Sequence, residues 1–81
     1  MAVALRLFAQ AREAAGTGAS EWPPSTLDEL LARARAAYGP EFAAVLGTAR
    51  VWVNGEEPAA GPATVLTDGD EVAILPPVSG G

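Results

Sequence analysis

Two helix stops, Pro23-Pro24 and Gly39-Pro40, fence off one amphipathic segment near the middle of the chain, and this fence limits the fold more than any other feature. Proline lacks the backbone N–H and its ring clashes with the preceding turn, so a helix has to fit between the two stops. Inside the fence Thr26 opens a Thr-x-x-Glu capping box with Glu29. Leu27, Leu30, Leu31, Ala34 and Tyr38 then recur at helical spacing, while Arg33 and Arg35 lie mostly off that stripe. The spacing predicts one main helix over about residues 27–38, ended by Gly39, and a short further helical turn over 41–46.

Outside the fence the apolar runs are short and alternate. Val3, Leu5 and Leu7 interleave with Ala4, Arg6 and Phe8, a period of two that predicts a strand with its leucines buried and Phe8 on the opposite face. Residues 11–20, with Gly16 and Gly18, read as a loop, and Glu21-Trp22 as a short second strand. Arg50-Val51-Trp52-Val53 is the next strand, closed by Asn54-Gly55, the strongest hairpin signal in the chain. Its return strand, Glu56-Glu57-Pro58, is short and proline-limited. Asp68-Gly69-Asp70 turns the chain into a last strand over 71–75, which Pro76-Pro77 ends. Val72 and Ile74 stand two apart and share a face, so they point into the core while Ala73 and Leu75 face out. The element order fits an α+β fold, a small mixed sheet with one helix packed across one face.

With 81 residues, 49% of them hydrophobic, the chain holds one domain with one core. It has no cysteine, so apolar packing rather than disulfides must stabilise it. Ten acidic residues face five arginines, with no lysine and no histidine, giving a net charge of -5. Nucleic acid is therefore not an expected partner, because phosphate binding needs clustered Lys and Arg. The same gaps remove the usual general base, thiolate, zinc ligand and Schiff-base amine, so a self-contained enzyme is hard to build from these residues. The N-terminal apolar pieces are too brief for a signal peptide or a membrane span, and the expected location is cytoplasmic, away from membranes.

Asp68, Asp70 and Glu71 lack the rest of a calcium loop and read as turn chemistry. Gly16-Thr17-Gly18 lacks the third glycine and the Lys-Ser/Thr of a phosphate loop. Trp22 and Trp52 are open between core, edge cover and partner contact. The closing Pro76-Pro77-Val78-Ser79-Gly80-Gly81 is different: stiff at its base, thin at its tip, and able to extend about 20 Å from the body. Such a segment can thread a narrow channel and present a carboxylate to another protein's active site.

Phe8-Ala9-Gln10-Ala11-Arg12-Glu13, the run Leu66-Thr67-Asp68-Gly69-Asp70-Glu71-Val72-Ala73 and the closing Pro-Pro-Val-Ser-Gly-Gly together resemble the MoaD-type sulfur carriers, the small subunits of molybdopterin synthase. These are related to the thiamine sulfur carriers and, in fold, to ubiquitin. The resemblance implies a ubiquitin-like β-grasp: a mixed sheet of about five strands on the one main helix, a body over 1–75 and a flexible sulfur-carrying tail over 76–81, with the first and last strands central and parallel. It implies an E1-like adenylating enzyme that spends ATP and Mg²⁺ to activate Gly81, with no cofactor held tightly by the chain itself, and a sulfur donor protein that makes the thiocarboxylate. It further implies a large catalytic subunit, in a two-plus-two heterotetramer, into which Pro76, Pro77, Val78, Ser79, Gly80 and Gly81 thread and where sulfur passes to cyclic pyranopterin monophosphate. The catalytic groups then all belong to partners.

A parallel pairing of first and last strands would set Phe8 beside Leu75 as an exposed apolar patch at the base of the tail, with Arg12 as a polar contact nearby. Three other functions share these features: a sulfur carrier for thiamine or cysteine synthesis, a ubiquitin-like modifier joined to lysines through Gly81, and a plain interaction module with an inert tail.

Overall fold

In a computed structural model, which describes residues 2–77, the first and last strands lie side by side at the centre of one sheet. The elements run β1 (Val3–Leu7), α1 (Ala9–Ala15), β2 (Ala19–Trp22), α2 (Leu27–Tyr38), α3 (Pro40–Leu46), β3 (Arg50–Val53), a 3₁₀ turn (Gly61–Ala63) and β4 (Glu71–Leu75). The sheet order is β2-β1-β4-β3, with β1 and β4 parallel and both outer pairs antiparallel.

Alternation decides the faces. Val3, Leu5 and Leu7 of β1 and Val72 and Ile74 of β4 turn to the helices and are buried, as the period of two predicts. Ala11 of α1, Leu27, Leu30 and Ala34 of α2, Phe42 and Leu46 of α3, and Leu66 complete the core against them. Burying a side chain of the size of Leu or Phe is worth about 1.5–3 kcal/mol relative to leaving it exposed, and here that term acts without disulfides. Thr26 caps α2 by accepting from the Glu29 N–H at 3.3 Å, and Gly39, at φ 94°, carries the chain from α2 straight into α3 with Pro40 in its first turn.

Two expectations change. The sheet has four strands rather than about five: Asn54 (φ 52°) and Gly55 (φ 79°) make the predicted turn, but the return is a single bridge between Val53 and Glu56 before the chain departs at Pro58. The Asn54 side chain turns to β4 instead, accepting from the Glu71 N–H at 3.0 Å and donating to Asp70 at 3.1 Å. The stretch read as a loop over 11–20 begins as the helix α1. Its stop is Gly16, which takes the left-handed φ of 78° and donates its N–H to the Arg12 carbonyl at 2.9 Å.

Trp22 faces the helices, half-buried at the end of β2. Its ring meets Tyr38 edge-on at 6.1 Å, Tyr38 meets Phe42 at 5.1 Å, and both the Trp22 indole and the Tyr38 hydroxyl donate to the Ser20 hydroxyl, at 2.8 and 2.9 Å.

At the far end of the sheet Asp70 ties two turns together. Its carboxylate accepts from the Thr67 N–H at 2.8 Å, the Thr67 hydroxyl at 3.2 Å and the Asn54 amide. The Thr67 backbone bond first, then the Asn54 bond, favour the charged form and hold its pKa below the ordinary 3.8. A depressed folded-state pKa contributes stability at pH above the unfolded value and loses it as pH falls through the folded one. The stability gap between the wild type and Asp70→Asn should therefore shrink as the pH drops from about 6 to about 2. Thermal melts across that range check it, and a pH-independent gap would count against the network.

Candidate functional site

The β1–β4 register sets Leu7 opposite Ile74, so the next residues, Phe8 and Leu75, leave the sheet together at one end. Phe8 continues the ladder by one bond, donating its N–H to the Ile74 carbonyl at 3.3 Å. The alternation that buries Leu7 and Ile74 turns Phe8 and Leu75 to the face that no helix covers. Phe8 is 41% exposed there, unusually open for a phenylalanine. Trp52, opposite Ala73 in the β3–β4 register, falls on the same face. Phe8, Trp52, Gly55, Glu71, Ala73 and Leu75 line a shallow depression of about 300 Å³. Arg6 and Glu71 pair at 3.4 Å on this face, both half-exposed, a contact worth at most about 1 kcal/mol.

The corner after Phe8 is tight. Ala9 takes a φ of 50°, a left-handed conformation that costs a non-glycine residue roughly 1–2 kcal/mol, and it turns the chain directly from β1 into α1. This corner leaves Phe8 at the helix N-cap, outside both elements.

On the helical side a second depression, of about 270 Å³, is lined by Gln10, Ala44, Val45, Thr48, Pro76 and Pro77. Pro76 is buried and Pro77 exposed, so Pro76 packs against the body where the chain leaves β4. The chain thus leaves between two apolar depressions, one on each face. Val78, Ser79, Gly80 and Gly81 lie outside the described residues.

Phe8 and Leu75 are brought together as the strand pattern predicts. Arg12 is not: it sits on α1 with its side chain against Gly18, where an added Cβ would stand 3.4 Å from the Arg12 Cδ, and it lines neither depression. Trp52, left open by the sequence, belongs to the exposed patch. Gln10, Ala44, Val45 and Thr48 were not signalled, because their depression depends on α1. Among the described residues no group of three His, Cys, Asp or Glu converges as a metal site would require, and no helix is long and apolar enough to cross a membrane.

The profile of the ThiS family matches residues 5–81. The molybdopterin synthase sulfur carrier subunit of Chlamydomonas reinhardtii is 36% identical over 84 residues, covering both chains in full. The solution structure of small archaeal modifier protein 1 from Methanosarcina acetivorans superposes with a TM-score of 0.86 at 32% identity, covering 99% of this chain and 96% of that one. A chain of the complex of subunits 1 and 2 of molybdopterin-converting factor from Helicobacter pylori superposes with a TM-score of 0.75 at 27% identity, both chains covered in full. The fold is the ubiquitin-like β-grasp, and the chain belongs to the ThiS family of ubiquitin-like sulfur carriers.

The geometry separates surface from core at adjacent positions. Phe8→Glu should change stability by no more than about 1 kcal/mol and keep a cooperative melt, whereas Ile74→Glu, burying an unpaired charge, should abolish it. Circular dichroism melts of the two variants check this, and loss of the transition in Phe8→Glu would place Phe8 in the core.

Proposed function

We propose that this ThiS-family chain carries sulfur on the carbonyl carbon of Gly81 and docks on its partners through the open face around Phe8, Trp52 and Leu75. The observation that supports this most is the placement of the chain's exit: an apolar collar surrounds the start of a segment whose sequence ends Val78-Ser79-Gly80-Gly81. An ionised carboxylate is a poor acyl donor, so loading needs an E1-like enzyme. Its chemistry balances as follows. A Gly81 carboxylate oxygen attacks the α-phosphate of Mg²⁺-bound ATP and expels pyrophosphate. A persulfide on the donor protein then attacks the carbonyl carbon and expels AMP. A thiol then attacks the donor's sulfur in the resulting acyl disulfide, is itself oxidised into a disulfide with the donor, and releases the thiocarboxylate on Gly81. With no cysteine in the chain, the Gly81 carbonyl is the place where sulfur rides.

Two acceptors have support. The curated relative supports molybdopterin synthesis, in which Pro77 to Gly81 enter a large catalytic subunit, in a two-plus-two assembly, and sulfur passes to cyclic pyranopterin monophosphate. The likeness to the archaeal modifier, the stronger of the two structural matches above, supports a modifier joined through Gly81 to protein amines. Carriers for thiamine or cysteine synthesis would be loaded in the same way.

The test begins with intact-mass spectrometry of the chain after incubation with ATP, Mg²⁺, an adenylating enzyme and a sulfur donor. A gain of about 16 Da, sulfur replacing oxygen, is expected, and none when Gly81 is deleted. The loaded chain is then offered to the molybdopterin synthase large subunit with cyclic pyranopterin monophosphate, and separately to protein extracts scanned for Gly81-linked lysines. Phe8→Glu should lower the rate of productive transfer at least tenfold in whichever arm is active. A chain that is never loaded by competent activating enzymes would overturn the proposal.

A further inference from the structure

We infer that the chain is built as a donor only: once its C-terminal end is activated, no side chain of its own surface or of a second copy offers an acceptor for it. The inference rests on the loading of Gly81 proposed above and adds a property of the rest of the molecule.

An activated acyl carbon is consumed by whatever nucleophile reaches it first. In a protein those are the lysine amine, the cysteine thiolate, the histidine imidazole and, with an adjacent base, a hydroxyl. This sequence has no lysine, no cysteine and no histidine. Each of its side-chain cations is arginine, whose delocalised guanidinium does not attack carbonyls. Arg6 pairs with Glu71, Arg33 with Glu29 and Arg50 with Glu57, exposed positions at which lysine would make the same ion pair but add an amine.

The surroundings of the exit sharpen the point. From Pro77 to Gly81 the chain can reach at most about 17 Å, so its own nearest acceptors would stand around the two depressions. Among the described residues lining them, the nitrogen-bearing side chains are the Gln10 amide and the Trp52 indole, neither of them nucleophilic. The hydroxyl there belongs to Thr48, which donates to the Val45 carbonyl at 3.2 Å and has no imidazole to deprotonate it.

The fold also sets the start of the chain far from the exit. Ala2 is fixed at the other end of the sheet, donating to the Asp68 carboxylate at 2.7 Å and accepting from the Gly69 N–H at 3.0 Å. Because β1 and β4 are parallel, Ala2 and the level of Phe8 are six strand steps apart, about 20 Å, against that reach of about 17 Å. The backbone at Ala2 therefore lies beyond that reach. An acceptor amine or sulfur must then come from a partner. Chains of carrier upon carrier through side-chain amines cannot form.

The test installs activation chemically, so its outcome does not depend on any adenylating enzyme. The full chain is prepared with Gly81 as a mercaptoethanesulfonate thioester, held at about pH 8 and followed by intact mass. Attack by an amine would form a C–N bond, break the C–S bond and release the thiol. The product would be about 18 Da lighter than the hydrolysed acid, or a covalent dimer. The wild type is expected to give the free acid alone. Gln10→Lys, an exposed position beside Pro76 and Pro77, is expected to give the lighter species, with a peptide joining position 10 to Gly81. A lighter species or dimer from the wild type, joined through a side chain, would overturn the inference. So would a Gln10→Lys chain that only hydrolyses, since geometry rather than the missing amines would then be what protects the end. Failure of enzymatic loading, in contrast, would overturn the carrier reading and leave this result standing.

Discussion

The parallel pairing of β1 with β4 is the interaction on which the rest of the molecule depends. It joins the two ends of the sequence at the centre of the sheet, which forces the intervening chain to wrap across one face and makes α2 and α3 the cover of the core. Five buried side chains, Val3, Leu5, Leu7, Val72 and Ile74, come from these two strands. A slip of either strand by one residue would send its own buried set to solvent and bring Arg6 (from β1) or Glu71 (from β4) inside, so burial fixes the register strongly. The same register carries Phe8 and Leu75 out of the sheet at one level, and the depression on the open face follows from it.

What was legible in the sequence was what local rules control. Alternation assigned the faces of β1 and β4, and the proline fence with its Thr26 cap marked α2. Once a parallel centre was assumed, Phe8 and Leu75 fell together. What escaped depended on contacts without a periodic signal. In α1 only Ala11 is buried, and a helix of alanines and charges with no apolar stripe looks like a loop until Gly16 is read as its stop. The hairpin after Val53 stops short of a fifth strand because Asn54 bonds to Asp70 and Glu71 of the neighbouring strand. Arg12 was expected as a polar contact near the patch, but the turn of α1 carries it against Gly18.

Pro76 and the two depressions fix where the chain leaves the small acidic body. Pro76 is held among α1 and α3 residues, so the direction in which the chain leaves is set by the packed core. Beyond Pro77 the sequence has no charged side chain and no branched bulk other than Val78, which suits a channel too narrow for larger side chains. Charge is kept on the body instead, and a net -5 favours approach to basic partner surfaces.

If the end of the chain does the same chemistry for every acceptor, the choice among acceptors has to be made by the body. Binding energy concentrates in apolar centres from which water is excluded, and on the proposed docking face that centre would be Phe8, Trp52 and Leu75. Discrimination comes from the polar groups around such a centre, because a partner that leaves them unpaired or meets them with like charge loses affinity. On this face those groups are Arg6, Glu71 and, beside Leu75 in the strand register, Arg50 with its partner Glu57. A basic rim on a partner would compete for Glu71 and Glu57 and release the arginines, whereas an acidic rim would meet carboxylates already facing outward. The sign of a partner's rim should therefore separate true acceptors from proteins that merely present a matching apolar groove.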